Sequence, residues 1–152
     1  EQLKIEENKL RDIERELGSL KKDETSMERS IRTAQKTIDA EKDRLTVLRD
    51  ELNAVSEVIA DNTRILSSMK PGTEKDEKAL FLKDLELKKK RTVRSIAASE
   101  NKISKAEETI EKAKHNIPEI SDDQADTQDR IAVQESVVQR YTDKLNIIKE
   151  YR

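Results

Sequence analysis

One histidine, His115, four aspartates (Asp122, Asp123, Asp126 and Asp129) and one basic run, Lys88-Lys89-Lys90-Arg91, are the residues whose types and spacing could do chemistry. An imidazole can ligate a metal or carry a proton, clustered carboxylates can hold a cation, and consecutive cations can neutralise phosphates. Each falls short of a site. His115 has only Lys114 and Asn116 beside it, and the chain has no cysteine to complete a ligand set. The aspartates lack the glycine turn and alternating ligands of a calcium loop. They follow Pro118, where a new helix start would favour acids through the macrodipole. The basic run, extended by Lys83 and Arg94, could serve as a nuclear localisation signal or a nucleic-acid patch. Four consecutive helical residues point round most of a helix, however, and make no single basic face. No nucleophile–base pair or glycine-rich phosphate loop can be assembled. The expectation is no catalytic residue, no cofactor, no metal and no enzymatic activity.

The elements that carry these residues are set by composition and period. Of 152 residues, 42% are charged and 33% hydrophobic, with two glycines and two prolines. That is too little apolar material for an ordinary globular core of this length, and it suits long helices that each bury one narrow stripe. Steps of three and four connect twenty positions from Leu3 to Met69, sixteen of them apolar. A second ladder of twenty runs from Leu82 to Ile148, fourteen of them apolar. This is the seam of a two-stranded coiled coil.

Between the ladders stands Lys70-Pro71-Gly72-Thr73, the only Pro-Gly pair. Proline lacks a donor and glycine tolerates turn geometry, so the first helix ends here, and Thr73 with Asp76 can start the next. The expected architecture is all-α: an antiparallel coiled-coil hairpin forming one segment over 1–152, with helix 1 at about 1–69, a tip at about 70–78 and helix 2 at about 79–152. Its rod would be roughly 100 Å long at 1.5 Å per residue. Two pairing registers fit the ladders. Where paired positions add to 144, eight of eighteen layers are apolar on both sides; where they add to 151, twelve of twenty are. The second is expected, pairing Ile13 with Val138, Leu48 with Ile103 and Leu3 with Ile148, and setting Lys89 and Asn62 together in a polar layer. Pro118 is expected to kink or break helix 2 without loss of register, with Ser121 and Gln124 capping a restart. Thr25 and Glu28 give the first helix a similar signal, with a continuous helix preferred.

Apolar residues outside the seam are the candidate interaction sites. Val47, Val58 and Ile65 in helix 1, and Val133, Val137, Ile147 and Tyr151 in helix 2, occupy c and g positions that broaden the stripe beyond what one seam consumes. At the tip, Leu80 and Phe81 follow the turn. Phe81, the only phenylalanine, is expected to plug the end of the seam or to anchor a partner.

Net charge is −2 with both signs interspersed, which gives no general drive toward nucleic acid or an anionic bilayer. No apolar run near eighteen residues is present to span a membrane, and with balanced charge and no basic face direct membrane binding is not expected. Because Glu1 stands in mid-ladder, a fragment of a longer protein is expected, and the location expected is intracellular, cytoplasmic or nuclear.

With its mixed Glu/Lys surface, heptads in two antiparallel halves and an in-register break at Pro118, the chain resembles a segment of the arm of structural-maintenance-of-chromosomes ATPases and related repair ATPases. That resemblance implies an arm transmitting motion between a head and a distal end. The short Lys70-Pro71-Gly72-Thr73 tip departs from the family's globular hinge or zinc hook, and no ATP-binding motif is present to carry over. The residues themselves point first to a structural coiled coil: a rigid spacer or scaffold that binds partner proteins or self-associates as a homodimer or higher oligomer through its flanks.

Overall fold

The computed structural model describes residues 1–151, and Arg152 lies outside the described residues. Two helices account for nearly all of it: α1, Gln2–Ser68, and α2, Thr73–Glu150. No strand occurs among the described residues, and the all-α helical hairpin is the fold. The turn is shorter than expected, residues 69–72, because α2 starts at Thr73 and not near residue 79. α1 closes with the Met69 amide donating to the Leu66 carbonyl at 3.2 Å, and α2 opens with the Asp76 amide donating to Gly72 at 3.1 Å. Gly72 therefore precedes the helix as its cap, and Thr73 is already its first helical residue. Glu74 and Asp76 in the first turn complement the exposed amides there.

The break allowed for at Pro118 does not occur, and α1 runs unbroken past Thr25 as preferred. α2 continues through Pro118 as one element. In α1, Thr25 sits in mid-helix, its hydroxyl donating to the Lys21 carbonyl at 3.0 Å. A threonine bonded back to the preceding turn needs no capping role.

The chain divides into two compact units: Glu1–Arg32 with Ile110–Arg152, and Thr33–Thr109. In both, every buried residue occupies a ladder position, which is the outcome a heptad seam dictates. In the 33–109 unit these include Ile38, Leu45, Val55, Leu82, Thr92, Ser99 and Ala106; in the other they are Glu6, Ile110, Ala113 and Thr127.

The pairing register is the one that adds to 144, and the expected 151 is corrected. In the 33–109 unit, Ser99 bonds Glu41, Lys102 pairs with Glu41 at 3.6 Å, and Arg49 pairs with Glu100 at 3.4 Å. In the other, Gln134 bonds Glu6 at 2.7 Å and Arg130 pairs with Glu16 at 2.6 Å. The positions in these five pairs add to 140, 143, 149, 140 and 146, scattered about 144. A register of 151 would separate Ser99 from Glu41 by eleven residues along the axis, about 16 Å, far beyond a serine side chain.

Two physical reasons select this register over the one with more fully apolar layers. A four-residue turn centred between Lys70 and Pro71 folds the helices back at a sum near 141, close to 144, whereas 151 would require unwinding the first turns of α2. Size matching is the second reason. The register sets Leu45 level with Ser99, Ile38 with Ala106 and Leu52 with Thr92 in one unit, and Ile31 with Ala113 and Leu17 with Thr127 in the other. Each of these five small residues is buried. Large against small fills a layer while letting backbones approach, so a serine or threonine serves as well as an alanine provided its hydroxyl is bonded. Thr92 meets that condition by donating to the Lys88 carbonyl at 3.0 Å.

Candidate interaction surface

Polar residues inside the seam form two clamps between the helices. Glu41 presents its carboxylate to the Ser99 hydroxyl at 2.5 Å and to the Lys102 ammonium at 3.6 Å. Ser99, 2% exposed, is the most enclosed side chain described. The arrangement answers an electrostatic problem: Arg44 and Lys102 carry like charge beside the seam, and Glu41 stands where it attracts both. The Ser99 hydroxyl, then Lys102 and Arg44, hold the Glu41 carboxyl below its ordinary value, against the opposing effect of burial. In the other unit, Gln134 donates to both the carboxylate of Glu6 (2.7 Å) and its main-chain carbonyl (2.9 Å). Gln2 adds a bond at 2.8 Å and Lys9 one at 3.4 Å. The Gln134 amide is the main reason the Glu6 carboxyl also lies below its ordinary value.

These clamps imply a pH dependence with a definite sign. A carboxyl whose folded pKa is depressed binds its proton more tightly in the unfolded chain, so folding is favoured wherever the unfolded carboxyl is ionised. The contribution of Glu6 and Glu41 is therefore complete above about 4.5, the ordinary value, and is lost as pH falls through the lower folded values. Melting followed by circular dichroism from pH 7 to pH 3 should show a steeper fall below 4.5 in the parent than in a Glu6→Gln, Glu41→Gln double variant. Equal slopes would show that the clamps do not report on folding.

Sequence reasoning missed these pairs by matching apolar positions and treating polar ones as defects. The signal was available: Glu6 with Gln134 and Glu41 with Ser99 are polar ladder positions that each add to 140, so one register satisfies both. Lys89, expected to lay its stem in the seam against Asn62, is exposed, while Asn62 is half-buried and bonds Val58 on its own helix at 2.7 Å. Gln124, at the level of Leu20, keeps its amide nitrogen buried without a partner and makes the weakest layer of its unit.

The expected interaction residues divide between the units. In the 33–109 unit, Val47, Val58, Ile65, Leu80 and Phe81 are all exposed, from 40% for Val58 to 62% for Leu80. The observed register brings Ile65 and Phe81 to facing g positions on one side of the seam. Leu82 closes the seam there; Phe81 does not plug it, but stays 47% exposed with the Lys78 ammonium 5.9 Å from its ring centre. In the other unit, Val133, Ile147 and Tyr151 are exposed, whereas Val137 is half-buried. Leu145 and Ile148, ladder positions of α2, are exposed.

His115 is exposed, as are Asp122, Asp123, Asp126 and Asp129. Asp123 and Asp126 border an open groove with Glu16, Leu20 and Arg130. No group of three or more His, Cys, Asp or Glu that could hold a metal occurs among the described residues. None of the described helices is long and apolar enough to cross a membrane. The seam is flanked by exposed apolar and charged residues. Comparison with protein-family models, curated proteins and solved structures finds no match.

Proposed function

We propose that this chain is a structural, protein-interaction coiled coil: a helical-hairpin spacer or scaffold that associates with itself or with partner proteins through apolar residues beside its seam. The observation that supports this most is that a seam already filled by its own two helices leaves Val47, Val58, Ile65, Leu80 and Phe81 exposed in one unit. Large apolar side chains concentrated on flanks mark association surfaces, since each loses water contact only when another chain covers it. The polar clamps suit the same role, because seam charges fix register and orientation at some cost in stability.

Val58→Asn, which removes the apolar contact without adding charge, tests the reading without touching the seam. It should leave helicity unchanged and weaken association, with the chain itself or with its protein partner, at least tenfold by sedimentation. A variant as helical and as fully associated as the parent would overturn it.

A further inference from the structure

The two helices of the 33–109 unit carry opposite charge at the same level. Residues 43–61 of α1 hold five acids and two arginines, net −3; residues 83–101 of α2 hold six lysines and arginines and three acids, net +3. The observed register sets these stretches side by side. Among the described ion pairs only Arg49–Glu100 joins them, and both partners are e residues, on the side of the seam opposite the g positions. Asp50, Glu51 and Glu57 on α1, and Lys88, Arg91 and Arg94 on α2, enter no described ion pair and are all exposed.

These unpaired charges share the f, c and g positions with the exposed apolar residues. On α1, Val47 and Val58 stand among the acids; on α2, Leu87 stands within the basic run and Phe81 just before it. Because g positions of both helices flank the same side of an antiparallel seam, one face of this unit presents an acidic apolar ridge beside a basic apolar ridge. A partner of a single sign, such as a polyanion, would satisfy one ridge and repel the other. An identical face turned by a two-fold axis parallel to the helices satisfies both at once, α1 against α2 and α2 against α1.

We infer that the partner for this face is a second copy of the chain, docked with two-fold symmetry so that the acidic ridge of each copy lies on the basic ridge of the other. This rests on the reading of the flanks as association surfaces and adds the occupant, the face and the pairing of helices. It also gives Lys88-Lys89-Lys90-Arg91 a protein target in place of a nucleic acid.

Two charge-reversed chains test it. Asp50→Lys with Glu51→Lys makes both ridges basic; Lys88→Glu with Arg91→Glu makes both acidic. All four sites are exposed, so circular dichroism should show parent helicity. By sedimentation equilibrium the parent should dimerise, with Kd rising at least tenfold between 0.05 and 0.5 M salt. Each variant alone should be monomeric where the parent is a dimer, and an equimolar mixture of the two should restore a dimer holding one of each. A parent that is monomeric at about 100 µM, or binds heparin as a monomer, overturns the proposal, as does a mixture that fails to associate. Dimers dissociated by Val58→Asn but indifferent to both charge reversals would sink this inference alone and leave the apolar reading standing.

Discussion

Leu45→Ala is expected to lower the unfolding free energy by about 2–5 kcal/mol, toward the upper part of that range. Leu45 is buried, 5% exposed, and the register sets it level with Ser99, whose small side chain is already enclosed and bonded to Glu41. A layer built as large against small has no second large residue to relax into the space, so truncating the large member leaves a cavity in place of a repacked core. Val47→Ala, two residues away and 57% exposed, should change stability by no more than about 0.5 kcal/mol. Urea titrations of both variants by circular dichroism check the contrast. Similar losses at the two sites would mean that the seam does not run through Leu45.

Cysteines placed at 13 and 131 should oxidise to an intramolecular disulfide, while cysteines at 13 and 138 should not. The chain has no cysteine of its own, so each pair reports cleanly. Ile13 and Ile131 are half-buried seam residues of the same unit whose positions add to 144. Val138 lies one heptad further along α2, about 10 Å displaced at 1.5 Å per residue, beyond the roughly 7 Å between α-carbons that a disulfide tolerates. Closing a loop of more than a hundred residues should also stabilise the oxidised chain by about 4–5 kcal/mol relative to the reduced one. Non-reducing electrophoresis and thermal melting read both effects. Oxidation of the 13/138 pair in preference to 13/131 would restore the rejected register.

The clamps and the leftover residues explain why part of the candidate surface was legible and part was not. Val47, Val58, Ile65 and Leu80 could be picked out as surplus because a residue's position on the heptad wheel depends only on its own helix. Phe81 was misplaced as a plug because its surroundings depend on which residue of α1 stands across from it, and that is a property of the pair. Leu145 and Ile148 are ladder positions too, yet they are exposed, because a ladder position is buried only where the partner helix covers it. The opposed charge of residues 43–61 and 83–101 is visible in sequence, yet it acquires meaning only once the two stretches are known to be level.

The sequence by itself determined that the chain is two long helices, that they are joined by a turn at Pro71-Gly72, and which ladder positions can face inward. A 3.5-residue period sustained over about ten heptads leaves no other way to bury apolar stripes, and Pro71-Gly72 admits only a turn. The start of α2 at Thr73 follows the helix-start signal of Thr73 and Asp76, whereas continuity of α2 through Pro118 was decided by the folded chain, since packing overrides a local break signal. So was the register. A slide of seven residues returns every ladder position to a ladder position, so the hydrophobic pattern is nearly indifferent to it. The choice falls to what the pattern does not encode: the four residues that span the tip, the match of large to small side chains, and two seam carboxylates that find their partners at only one setting.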